Sequence, residues 1–166
     1  MIGPFLPFGT SAIRFWRLDD ARFAKSWDSG EGSFRVGGRW NRRGLHVVYG
    51  ALDPSTAILE VAVHKGFHTL DTVPHVLTSA RIVAPSLERI VTQDEIPNPN
   101  WFVPSAPSAG QMAFGSELLT KHPLIVIPSV VSRHAWNVIF RVPAGFEYDD
   151  IRQEPFALDP RLHPPS

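Results

Sequence analysis

A carboxylate inside an apolar helix is the most informative feature of this chain. Glu60 lies in Ala57-Ile58-Leu59-Glu60-Val61-Ala62-Val63, with apolar neighbours on every side. An ionised group in such surroundings is costly unless a cation, fixed hydrogen bonds or a wet cavity meets it. Two readings follow: a structural ion pair with an arginine, or a carboxylate placed for chemistry. Arg39 is the second such residue, in Gly37-Gly38-Arg39-Trp40-Asn41. The glycines permit close approach of a ligand, and a guanidinium beside an indole suits a diphosphate and a stacked ring. The same segment also reads as an exposed loop arginine, since it lacks the spacing of a P-loop or a dinucleotide fingerprint.

Tyr49 closes a strand just before the helix of Glu60, where its ring could stack on a planar ligand or simply fill the core. Ser129 follows Pro128 at a strand end, where a hydroxyl either binds a ligand or caps the turn. His64 and His68 are four residues apart, but Gly66 falls between them and no third ligand suggests itself, so no metal site is expected. Asp53 is better explained as a helix cap than as an acid. No nucleophile elbow or EF-hand is present.

The elements that must hold these residues follow from periodicity and punctuation. A strand over Ile13 to Leu18 is followed by Asp19-Asp20, which cap a short helical stretch through Phe23 and Trp27. Ser29 to Gly44 is a glycine-rich passage ending in a strand, Leu45 to Tyr49. Asp53-Pro54 starts the clearest helix, with Asp53 as N-cap, Pro54 at the first helical position and Gly66 as the stop. His75 to Val83 reads as a strand, Ser86 to Asp94 as a short helix, and Ile96 to Gly110 as an ordered surface loop. A helix from Ser108 or Gly110 to Lys121 leads into a strand at Leu124 to Ile127 and another at Asn137 to Val142. The tail is expected to pack through Phe156 and Leu158 and then fray.

Composition bounds the class. The 166 residues suffice for one domain with its own core, and 43% hydrophobic content excludes a disordered chain. Lys plus Arg and Asp plus Glu are both 16, so no net field draws the chain to a polyanion or a membrane surface. Nucleic acid is therefore not expected as a direct partner. The absence of cysteine removes disulfides, thiolate metal sites and cysteine nucleophiles together. No basic n-region precedes an apolar run and no stretch is long enough to span a bilayer, so no membrane association and a cytoplasmic location are expected. Sixteen prolines and twelve glycines favour a loop-rich α/β (α+β) architecture over a helical bundle.

Taken together, the motifs resemble the RES domain family, named for an Arg, a Glu and a Ser. Arg14-Phe15-Trp16-Arg17, SGEGSFRVGGRWN and VVYGALDPSTAILEVAVH are similar to the family's GGRWN, VVY and A-x-LE-x-x-x-H segments in the same order. Gly115-Ser116-Glu117-Leu118-Leu119 and IVIPSVVSRHAWN resemble its later segments. Leu118 stands where the family often has Trp, and Arg141-Val142-Pro143-Ala144 replaces its usual Asn-Pro-x-His.

The resemblance implies one compact RES domain over 1–166, with its core at about 13–160. The implied fold is ADP-ribosyltransferase-like, with a mixed, partly split sheet, a few short helices and a cleft for NAD+. It implies a toxin with NAD+ as substrate, no prosthetic group, and an Xre-type helix-turn-helix antitoxin as partner, a complex in which a toxin homodimer is allowed. Glu60, Arg39, Tyr49 and Ser129 fall on the family's active-site positions, with Arg17, Trp40, Asn41 and Asn137 as substrate-binding neighbours. In the mechanism that fits these types, Glu60 stabilises positive charge on the ribose as the nicotinamide bond breaks, Arg39 holds the diphosphate, Tyr49 stacks, and Ser129 bonds the carboxamide or a hydroxyl. Two alternatives remain open at this level: transfer of ADP-ribose to a protein, and a non-catalytic binding module in which Arg39 and Glu60 are a structural pair.

Overall fold

The computed structural model describes residues 13–83, 88–103 and 107–166. Among these residues, seven strands form one sheet: β1 (Ile13–Asp20), β2 (Val47–Ala51), β3 (His75–Ile82), β4 (Glu88–Ile90), β5 (Leu124–Pro128), β6 (Trp136–Arg141) and β7 (Tyr148–Phe156). Their spatial order is β4-β5-β6-β2-β1-β3-β7, and every pair is antiparallel except β4 with β5. Among the described residues, four α-helices accompany it: α1 (Glu31–Val36), α2 (Pro54–Lys65), α3 (Phe67–Thr72) and α4 (Ala109–Lys121).

Apolar clusters lie on both faces of the sheet, which is why β2, β5 and β6 are near-continuous apolar runs and do not alternate with polar residues. Successive residues of a strand point to opposite faces. Thus Val48, Val138 and Phe140 join Phe15, Trp27 and Ile82 in one cluster, whereas Val47 and Ile139 join Trp40, Trp101 and Leu119 in the other. A third cluster, Leu18, Ala62, Leu70 and Leu158, ties α2 and α3 to the end of β1. Phe156 packs against that cluster, so the tail does anchor through Phe156 and Leu158.

The sheet is weakest between β1 and β2. These strands share a single register pair, Trp16↔Ala51, whereas β1 and β3 remain in register from Ile13↔Ile82 to Asp20↔His75. The strands part there, and the gap is where the cleft described below opens.

Helix α2 forms as its sequence dictates. The Asp53 carboxylate accepts from the Thr56 amide at 2.8 Å and from the Thr56 hydroxyl at 2.6 Å, and Pro54 occupies the first turn. At the other end Gly66 takes φ 82°, a left-handed conformation that favours glycine, and its N–H donates to the Ala62 carbonyl at 2.8 Å.

Four elements differ from the sequence expectation. Within the expected helix at Ser86 to Asp94, the described residues form the strand β4 and a single 3-10 turn, Gln93–Glu95; Ser86 and Leu87 lie outside the described residues. The apolar residues there are too few for a helical stripe, and β5 offers an edge for parallel pairing at Ile90↔Val126. The glycine-rich passage contains α1, bounded by left-handed Gly30 and Gly37. Gly66 ends α2 but α3 starts at once. Finally β7 is a nine-residue edge strand exposed along most of its length, so it lacks the apolar alternation by which strands are recognised.

Because α2 carries Glu60, its cap is a direct test of this local logic. Asp53→Ala removes both cap bonds and is expected to cost about 1 kcal/mol, lowering the thermal midpoint by roughly 2–4 °C. Thermal denaturation followed by circular dichroism measures it, and an unchanged midpoint would show the cap to be dispensable.

Candidate functional site

A cavity of about 370 Å³ opens where β1 and β2 part, near the lower end of the roughly 300–1,000 Å³ typical of small-molecule sites. Its wall takes Trp16, Arg17 and Asp19 from β1, Tyr49 and Gly50 from β2, and Glu60, Val61, His64 and Lys65 from α2. The 37–40 loop adds Arg39, and β6 adds Asn137. Arg39, Tyr49 and Glu60, which the sequence separates by ten and eleven positions, therefore face one hollow.

Glu60 is held by two donors on one oxygen. Its Oε1 accepts from the Ser129 hydroxyl and from the Asn137 side-chain amide, each at 2.8 Å. Ser129 follows β5 and Asn137 lies on β6, and the pairing Ile127↔Asn137 brings them side by side. Ser129 is fully buried, does not belong to the cavity wall, and its Oγ also accepts from the Ser132 amide at 3.1 Å. The hydroxyl expected to meet a ligand is thus spent on Glu60 and on its own turn. Asn137 reaches the wall, and because its Nδ2 is committed to a carboxylate the amide cannot flip. Its Oδ1 is buried and has no hydrogen-bond partner among the described residues.

The loop that carries Arg39 is fixed from behind. The Tyr49 hydroxyl donates to Asn41 Oδ1 at 2.6 Å and accepts from the Trp40 amide at 3.0 Å. Gly38 passes so close that a Cβ there would lie 2.6 Å from the Tyr49 hydroxyl and 2.7 Å from Asn41 Oδ1. Asn41 is fully buried, and its Nδ2 donates to the Arg42 carbonyl at 2.9 Å. Trp40 is 1% exposed, with its indole packed in the core near Trp101 and Phe114 and not turned outward as a stacking surface. The sequence places Trp40 and Asn41 beside a ligand; the structure keeps Trp40 at the cavity wall with its indole buried behind it, and places the Asn41 side chain in the support of the loop.

Burial shapes the electrostatics. It pushes the Tyr49 phenol well above its ordinary value, against the weaker pull of the Trp40 amide bond and the Arg39 charge. It lowers Arg39, and the nearby Glu60 charge partly opposes that shift. Arg39 Nη1 donates to the Trp101 carbonyl at 3.4 Å. Trp101, in the segment expected to be a surface loop, is 3% exposed and staples that loop into the core. On β1, burial raises the Asp19 carboxyl above its ordinary value, with Arg17 pulling the other way.

Asp19 and Lys65 are cavity residues that the sequence reading did not single out, and it weighed His64 only for metal binding. A signal existed for Asp19, since residues i and i+2 of a strand share a face and Arg17 was already a candidate. Among the described residues, no group of three or more His, Cys, Asp or Glu side chains could hold a metal ion. No helix among them is long and apolar enough to cross a membrane.

Known proteins resemble this chain in sequence and in fold. A family model described as RES domain matches residues 14–159. The chain is 33% identical over 153 residues to a protein of Photorhabdus laumondii subsp. laumondii named Toxin Res, covering 89% of this chain and 95% of that protein. It is 33% identical over 140 residues to a Toxin Res of Pseudomonas putida, covering 81% and 91%. A Sphingobium sp. protein named Prs ADP-ribosylating toxin is 30% identical over 168 residues, with 89% and 95% covered. Among solved structures, the M. tuberculosis MbcT-MbcA toxin-antitoxin complex contains a chain that matches with a TM-score of 0.66 at 16% identity, over 89% of this chain and 85% of that one. That likeness is one of fold.

The support of the Arg39 loop makes a quantitative expectation. Tyr49→Phe leaves the buried Asn41 Oδ1 and Trp40 amide without their hydroxyl partner, at a cost of about 1–3 kcal/mol. Thermal denaturation should show a midpoint several degrees lower, whereas an unaltered midpoint would mean that the hydroxyl does not hold the loop.

Proposed function

The chain belongs to the RES domain family, and on that premise we propose that it is the toxin of a bacterial toxin–antitoxin pair that breaks the nicotinamide–ribose bond of NAD+. The observation that carries this reading is the meeting of Arg39 and Glu60 with Tyr49 and Asn137 in one cavity. The names of the relatives support it. The toxin–antitoxin complex that shares the fold supports an antitoxin partner, which we take to be of the Xre helix-turn-helix type, acting on the toxin in the cytoplasm.

Bond cleavage sends the electron pair of the C1′–N bond to the ring nitrogen, so nicotinamide leaves neutral and no general acid is required. The ribose is left as an oxocarbenium-like centre, whose positive charge a fixed carboxylate stabilises. Glu60 fills that role, because Ser129 and Asn137 fix one of its oxygens and leave the other for the ribose. Ser129 is here a positioning residue that acts through Glu60. An oxygen nucleophile then bonds to C1′, and its proton passes to solvent.

The other side chains bind and orient. Arg39 is the cation in the wall that holds the diphosphate by charge-assisted hydrogen bonds. Tyr49, in the wall between Arg39 and Glu60 along the chain, packs against the nicotinamide or the ribose. The unpartnered Oδ1 of Asn137 is an acceptor in search of a donor, which the carboxamide N–H or a ribose hydroxyl supplies. A ligand that meets it removes the penalty of a buried, unsatisfied carbonyl.

A second reading keeps the site and changes the acceptor to a protein side chain; the name of the Sphingobium relative favours it. Intact-mass spectrometry of cellular proteins after expression separates the two. Free nicotinamide without modified protein fits the hydrolytic or phosphorolytic reaction, and a protein gaining the mass of ADP-ribose fits transfer.

Purified Glu60→Gln protein should consume NAD+ at least ~100-fold more slowly than wild type while keeping its thermal midpoint, the scale expected of a transition-state electrostatic group. Nicotinamide release measures it. Full activity in that variant would remove Glu60 from the reaction.

A further inference from the structure

Asp19 is a buried acid in the wall of the cleft for which the proposed reaction has no use. It is 8% exposed and takes two bonds from the Arg17 guanidinium, Nε to Oδ2 at 3.0 Å and Nη2 to Oδ1 at 2.8 Å. This fork fixes the plane of the guanidinium. The remaining nitrogen, Nη1, donates to the main-chain carbonyl of Tyr49 at 2.8 Å.

The position of that carbonyl gives the contact its meaning. Tyr49 lies on β2, and β1 and β2 are in register only at Trp16↔Ala51. Arg17 therefore reaches across the place where the strands separate and serves a backbone acceptor that a fully paired neighbour would otherwise serve. The same backbone leads from Tyr49 through its hydroxyl to Trp40 and Asn41, the support of the Arg39 loop.

We propose that Asp19 is a positioning residue of this cleft: it holds Arg17 as a strut between β1 and β2, so that the width of the gap and the direction of the free guanidinium donors depend on it. The inference rests on the reading of the cleft as a dinucleotide site. It also gives that site a dependence on pH. The strut needs Asp19 ionised. Arg17 on its own strand, Lys65 at the end of α2 and His75 on β3 all favour the ionised form, but burial outweighs them and raises its pKa. The strut is lost as pH falls through that raised value, sooner than an ordinary aspartate pair would be. Asp20, on the opposite face of the strand, instead pairs with Arg22 and caps the following turn.

The ligand-free test is nuclear magnetic resonance of the Arg17 Nε–H in the full chain. At neutral pH this proton should resist solvent exchange, and the protection should vanish on mild acidification. Rapid exchange at neutral pH would overturn the proposal, whatever the substrate. The kinetic test is Asp19→Asn, which should raise KM for NAD+ about 10-fold with a smaller effect on kcat and abolish the rise of KM at acid pH expected of wild type. Asp19→Glu should restore part of the affinity and the acid limb. An Asp19→Asn protein with unchanged KM and the same acid limb would overturn the strut while leaving the proposed reaction standing. Wild-type protein that does not consume NAD+ would overturn the reaction, and the exchange of the Arg17 proton would still decide on Asp19. Should Asp19→Asn fail to fold, the pH dependence of that proton and of KM in wild type decides.

Discussion

Two hydrogen bonds to one oxygen of Glu60 set the terms for the rest of the structure. A carboxylate on the inner side of α2 would be expensive to bury alone, and Ser129 and Asn137 remove much of that cost at 2.8 Å each. Both donors come from the β5–β6 pair, where Ser129 N–H donates to the Ala135 carbonyl at 2.9 Å and closes the turn. The sheet register, the cap of α2 and the 129–135 turn must all be correct for the carboxylate to sit where it does. Packing of Ala62 against Leu18 and Leu70 then fixes the distance of α2 from β1.

The cleft is a defect of the sheet, built deliberately into its middle. Where β1 leaves β2, main-chain groups and side chains from both strands become available to a ligand, and α2 and the Arg39 loop close the sides. Such a gap would collapse or fray without polar supports. Arg17 bridges it with Asp19 behind, and Tyr49 stiffens the glycine loop from below. Helix α4 seats that loop closely, since a Cβ on Gly115 would clash with the Trp40 carbonyl oxygen. Gly30, Gly37 and Gly38 are thus close-contact positions of the glycine-rich segment, whereas Gly32 and Gly44 face open space. The cleft combines cations (Arg17, Arg39, Lys65) with fixed carboxylates, a distribution suited to an anionic ligand whose reaction develops positive charge.

Much of this was legible in the sequence, and for physical reasons. Helix α2 has an N-cap, a first-turn proline, a glycine stop and a lone acid in an apolar run, each a local signal. The convergence of Arg39, Tyr49 and Glu60 was anticipated through linked motifs, none of which identifies the cleft alone. What escaped depends on tertiary context. β7 is polar and exposed because it is an edge, so its strand character comes from β3 and not from its own pattern. β4 is too short to carry a period. That Ser129, Trp40 and Asn41 face inward is set by the packing around them. The raised pKa of Asp19 is likewise a property of burial in the assembled sheet.

The most direct measurement is a crystal structure of Glu60→Gln protein soaked with NAD+, in which slowed turnover preserves the substrate. The ribose C1′ should lie about 3–3.5 Å from the side chain at position 60, with the diphosphate against Arg39 and a ligand donor on Asn137 Oδ1. A dinucleotide bound outside the gap between β1 and β2, or with its nicotinamide riboside remote from position 60, would contradict this.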